Sequence, residues 1–87
     1  MADTEMLKQR VEHIENELLM LYKSPMIGGE DLINVLGYKT NDAFRQAHVR
    51  NTLPVKVFAI KGRRGKFALV VDIAHWMATE SLKMEVK

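Results

Sequence analysis

Between Gly28 and Met77 the chain is interrupted so often that only short elements fit. Gly28-Gly29, Gly37, Thr40-Asn41-Asp42, Leu53-Pro54, Gly62 and Gly65 follow one another at short intervals. The first helix this allows carries Leu32, Ile33, Val35 and Leu36. Glu30 and Asp31 open it, where acidic side chains suit the helix dipole, and Gly37 ends it as a C′ glycine would. The second is announced by Thr40-Asn41-Asp42, runs to about Asn51 and is stopped by Leu53-Pro54. Residues 55–60 and 67–71 are rich in β-branched and aromatic side chains and read as the two strands of a hairpin. Lys61-Gly62-Arg63-Arg64-Gly65-Lys66 joins them, its two glycines permitting the positive φ of a tight turn. Asp72 then caps a closing helix in which Ile73, Trp76 and Met77 share an inward face, with Trp76 as its keystone. Gly28-Gly29 lacks the spacing of a nucleotide-binding loop and reads as a hinge.

Upstream, Leu7, Val11, Ile14, Leu18 and Leu21 are spaced four, three, four, three. This is the narrow a/d seam of a coiled coil, not the broader stripe of a globular helix. Asp3 or Thr4 can cap the helix, and Ser24-Pro25 stops it. With fewer than three heptads it is weak alone. The seam has two uses, pairing with a second copy or packing on the chain's own domain, and the expectation is a homodimer through this helix. Arg10 approaches Glu15 in a parallel pair and Glu17 in an antiparallel one, so the flanking charges do not choose an orientation. The expected organisation is a dimerisation helix over 1–24, a second unit over 25–79 and a frayed tail over 80–87.

Eighty-seven residues make one small domain. The net charge of +2 conceals a strong asymmetry. Residues 1–31 hold three basic and seven acidic side chains (−4), residues 32–71 eight basic and one acidic (+7), and residues 72–87 two basic and three acidic (−1). A positive segment this lopsided argues for a polyanionic partner. The absence of cysteine excludes disulfides and thiolate metal sites. No apolar run approaches the ~20 residues of a membrane span. The charged first ten residues are no signal peptide. The expectation is a cytoplasmic, nucleoid-associated protein without membrane contact. His13, His48 and His75 are far apart, with no metal-ligand spacing among them. His48 reads as a partly buried structural histidine. No histidine has a nearby carboxylate partner and no phosphate loop is present, so neither an enzyme nor a cofactor is expected.

Projected at 100° per residue from Phe44, residues Ala47, His48 and Asn51 share the inward side of the second helix. Asp42, Arg45, Gln46 and Val49 point outward, with Arg50 on the flank. Arginine grips guanine and glutamine grips adenine with paired hydrogen bonds, and valine suits a thymine methyl. Arg45, Gln46, Val49 and Arg50 are therefore the expected base contacts. The four cations at the hairpin tip repel one another, and a phosphate backbone or narrow minor groove relieves that repulsion. The expected backbone or wing contacts are Lys39, Thr40, Asn41, Lys56, Lys61, Arg63, Arg64 and Lys66, with Thr40 and Asn41 acting through N–H groups at a helix start.

The order Leu32-x-x-x-Leu36-Gly37, a polar-capped helix, Leu53-Pro54, a basic hairpin and Asp72-Ile73-x-x-Trp76 resembles the small winged helix-turn-helix of MerR-type regulators, phage excisionases and AlpA-like prophage regulators. The resemblance implies an α+β fold, an N-terminal coiled-coil helix followed by a winged helix-turn-helix. It also implies sequence-specific binding of double-stranded DNA by the helix over 41–51, in a dimeric transcriptional regulator of a phage, plasmid or other mobile element. Two departures stand out. Asn51-Thr52 occupies the place where the family has a glycine and a charged residue. MerR regulators carry their coiled coil at the other end, so their effector sensing does not transfer and no small-molecule effector is expected. Two rival functions are an excisionase-like architectural factor that bends DNA and an adaptor that binds protein instead of DNA.

Overall fold

In the computed structural model, which describes residues 2–86 and the side chains of residues 4–83, the chain is α+β. The described residues form helix α1 (Ala2–Tyr22), strand β1 (Met26–Gly28), helices α2 (Gly29–Val35) and α3 (Asn41–Val49), strand β2 (Phe67–Leu69) and helix α4 (Val70–Val86). β1 and β2 pair antiparallel, with Met26 opposite Leu69, Ile27 opposite Ala68 and Gly28 opposite Phe67. One core joins all of these elements: Leu18, Ile27, Leu32, Leu36, Phe44, Ala68, Val70, Ile73 and Ala74 are buried together.

The a/d stripe of α1 is covered in part from within the chain. Leu18 is 6% exposed and belongs to the core, and Val11 and Ile14 pack half-buried against it. The helix that α1 lies along is α4. The two run antiparallel: Arg10 Nη1 donates to Ser81 Oγ at 3.1 Å, while the Val70 N–H at the start of α4 donates to the Pro25 carbonyl just beyond α1 at 2.8 Å. Leu18, expected in a seam between two copies, thus belongs to the core of its own chain. Leu7 is half-buried, and Leu21 is 69% exposed. α1 begins at Ala2, ahead of the cap expected at Asp3 or Thr4, and the Asp3 side chain lies outside the described residues. The helix closes where Lys23 adopts φ 58° and donates its N–H to Leu19 O at 2.8 Å, just before Ser24-Pro25.

Further expectations are corrected. The stretch over 55–60 does not form a strand. Its pairing with β2 is reduced to a single bridge, in which Phe58 and Phe67 exchange N–H···O bonds of 2.9 and 2.8 Å. β2 pairs instead with Met26–Gly28, the segment read as a connection and hinge, because that register sets Ile27 and Ala68 side by side in the core. Val70 and Val71 are the first residues of α4, so Asp72 sits in its first turn and does not precede it. Nor is the tail frayed: no glycine or proline follows Val70, and α4 continues through Val86. Ser81 Oγ also donates to Ala78 O at 2.9 Å. The side chains after Lys83, and all of Lys87, lie outside the described residues. Trp76 packs half-buried at the core's edge. The keystone positions are Leu32, Ile73 and Val70, the largest fully buried side chains.

The two ends of the α1 stripe should respond differently to truncation. Leu18→Ala is expected to cost about 2–4 kcal/mol in urea denaturation through the cavity it leaves. Leu21→Ala should stay within about 0.5 kcal/mol, as surface substitutions do. Equal losses at both positions would restore the coiled-coil reading.

Candidate nucleic-acid interface

The geometry of α3 begins at the end of α2. Gly37 takes φ 90°, its N–H reaches Asn34 O at 3.0 Å, and the Tyr38 N–H reaches Ile33 O at 3.1 Å. This paired closure, with glycine at the left-handed position, is a Schellman motif and turns the chain sharply. Thr40 then caps α3, its Oγ1 accepting the Ala43 N–H at 3.0 Å. Tyr38 meets Phe44 edge to face, centroids 5.9 Å apart at 76°, which ties the turn to the core. Only Phe44 and Ala47 of α3 are buried, so the rest of the helix faces outward. α3 ends in a second Schellman motif with Asn51 at φ 60°: its N–H bonds His48 O at 3.1 Å, and the Thr52 N–H bonds Ala47 O at 2.9 Å. Asparagine here takes the left-handed position that glycine most often fills at a helix end. Thr52 Oγ1 adds a bond to the same Ala47 carbonyl at 3.2 Å.

The basic loop over 59–66 is held beside this helix by its roots. Phe67 is bridged to Phe58 on one side and lies opposite Gly28 on the other. A Cβ on Gly28 would collide with Cδ2 and Cε2 of the Phe67 ring, so glycine is what allows the ring to cross β1. The Arg63 guanidinium stands 5.5 Å from the centroid of the same ring, a cation–π contact. The Arg63 N–H bonds Ile60 O at 3.0 Å across a turn with Gly62 at φ 82°, the third-position sign a type II turn requires.

Two hollows border α3. A cleft of about 810 Å³ lies between α2, α3 and the loop, with Lys39, Thr40, Asn41, Arg45 and Lys66 on its walls. A shallower one of about 420 Å³ lies on the far side, lined by Asp42, Arg45, Gln46, Val49 and Arg50. Arg45 and Val49, one turn apart, line both and form the crest of the helix. Val49 is 83% exposed. Gln46 and Arg50 occupy one flank, Asn41 the other. Arg45 Nη2 bonds Asp42 Oδ1 at 3.4 Å with both side chains largely exposed, a weak tie that another anion can replace.

Of the residues singled out in the sequence, the structure gathers Lys39, Thr40, Asn41, Arg45, Val49 and Lys66 about the cleft and sets Gln46 and Arg50 on the opposite flank. Lys56, Lys61, Arg63 and Arg64 are exposed but border neither hollow. The expectation for His48 is corrected: it is exposed and lines the cleft. Four positions from Phe44 it lies 40° around the wheel, but Ala47 lies 60° the other way, so the buried arc leaves His48 at its edge. Glu30 and Asn34 of α2 also face the cleft. An i, i+4 pair on a short capped helix was the sequence signal for them. Among the described residues no polar or charged residue is buried, and no helix is long and apolar enough to cross a membrane.

The chain matches no family profile, no curated protein and no solved structure.

The closing turn of α3 can be tested directly. Asn51→Gly is expected to leave stability within about 0.5 kcal/mol, and Asn51→Val to cost about 1–2 kcal/mol by forcing a β-branched residue to positive φ. Urea denaturation followed by far-UV circular dichroism measures both.

Proposed function

We propose that this chain is a winged helix-turn-helix protein that binds double-stranded DNA in a sequence-dependent way. In this reading α2 and α3 are the helix-turn-helix, α3 enters the major groove and the loop over 59–66 is the wing. The observation that carries it is the form of α3: an exposed crest of Arg45 and Val49, with Gln46 and Arg50 down one side and Lys39, Asn41 and Lys66 about the cleft on the other. A major groove ~12 Å wide admits one helix, and a helix so dressed meets base edges along its crest and phosphates on both sides. The +7 balance of residues 32–71 supports the same partner. Base reading belongs to Arg45, Gln46, Val49 and Arg50, and backbone binding to Lys39, Thr40, Asn41, Lys56, Lys61, Arg63, Arg64 and Lys66. Pairing of two copies through α1 forms no part of this reading, because Leu18, Val11 and Ile14 already pack within the protomer. Transcriptional regulation is the role that suits a small reader of this kind.

The test is selection of bound duplexes from a random library, followed by titration of the selected and a scrambled duplex. With roughly six phosphate contacts, affinity is expected to fall about 10³-fold between 50 and 200 mM salt. Arg45→Ala should cost ~1–3 kcal/mol on the selected duplex and relax sequence preference. Arg64→Ala should weaken both duplexes alike and flatten the salt slope. It is a cleaner probe than Arg63, which also packs on Phe67. Failure to enrich any sequence, with no binding at 50 mM salt, would remove the reading.

A further inference from the structure

We propose that His48 contacts a DNA phosphate, and that the cleft between α3 and the basic loop holds one sugar–phosphate strand. The inference rests on the DNA-binding reading and adds to it which strand lies where. A helix seated in a major groove turns its crest to the base edges and its two flanks to the two strands. Here Arg45 and Val49 form the crest, because both hollows share them. His48 lies only on the cleft side, as does Asn41, seven residues earlier and so on the same stripe of the helix. The wall facing that stripe includes Gly65 and Lys66 of the loop. The strand passing this flank therefore meets α3 and the loop together.

Two details set where the strand runs and what His48 does there. Glu30, the one carboxylate on the cleft's walls, belongs to α2. Its charge repels phosphate from the α2 side and keeps the strand between α3 and the loop. His48 lies off the Arg45–Val49 crest, on the cleft flank alone, where a groove-seated helix faces phosphate and not base edges. An imidazole offers an N–H donor whether neutral or protonated, so the contact does not depend on its charge.

The experiment titrates the full chain against the library-selected duplex and a scrambled duplex of equal length, at 50 mM salt, by fluorescence anisotropy. His48→Ala is expected to weaken both duplexes by the same factor, about fivefold, as the loss of one hydrogen bond would. His48→Glu, whose better helix propensity is set against an unfavourable charge in the last turn of α3, is expected to weaken both by more than tenfold with only a small change in melting temperature. It decides the matter if the alanine variant folds poorly. Wild-type affinity in His48→Glu would overturn the proposal. A loss confined to the selected duplex would overturn it too, by moving His48 to base reading. If the wild-type chain binds neither duplex, the DNA-binding reading itself fails, an outcome distinct from an unaffected His48 variant.

Discussion

The pairing of Ile27 with Ala68 holds the molecule together. β1 and β2 are three residues each, yet these two central positions are 2% and 0% exposed and bring distant parts of the chain into one core. On one side the register places the Phe67 ring over Gly28, from which the bridge to Phe58 and the basic loop follow. On the other it delivers Val70 to the core and starts α4 in position to cover α1. The loop stands beside α3 because of the strand pair at its root, and not because of any contact between the loop's own cations.

The charges follow the same division. The chain from α1 to the first turn of α2 carries most of the acidic side chains, while α3, the loop and the segment between them carry most of the basic ones, all on a frame whose described buried residues are apolar. Gathering like charges on one surface costs free energy in the isolated protein, and a polyanion offsets that cost on binding. The frame supplies the stability that the charged surface cannot. The largely exposed tie between Asp42 and Arg45 restrains one crest residue only lightly, so its guanidinium can be handed to a stronger acceptor.

Much of this was legible in the residues, but only where the signals were local. Gly37, Thr40 and the spacing of Phe44 and Ala47 define α2, the turn and the buried side of α3, and these elements formed where expected within two residues. The outward placement of Arg45, Gln46 and Val49 follows from the same periodicity. What local pattern could not reveal was partnership. Met26-Ile27-Gly28 is too short to show alternation, so nothing near it marks it as the partner of β2. The stripe of α1 suits a second copy or α4 equally well, and the choice depends on a helix at the other end of the chain. The length of α4 was missed for the same reason: its last turns have α1 beside them, with Arg10 reaching Ser81. His48 was misjudged because the buried arc of α3 is centred between Phe44 and Ala47 and not on Phe44.

Because β1 precedes α2 and β2 follows the basic loop, the whole candidate face lies inside a closed loop of native chain. The entropy of closing such a loop grows only logarithmically with its length, so a short strand pair suffices to bind a long segment. A segment fastened at both ends cannot unravel from one of them. Amide exchange in the far turns of α1 and α4 can proceed by local fraying, whereas α2 and α3 become accessible together, when the strands separate. The surface that would meet DNA is thereby one cooperative unit, either fully assembled or absent.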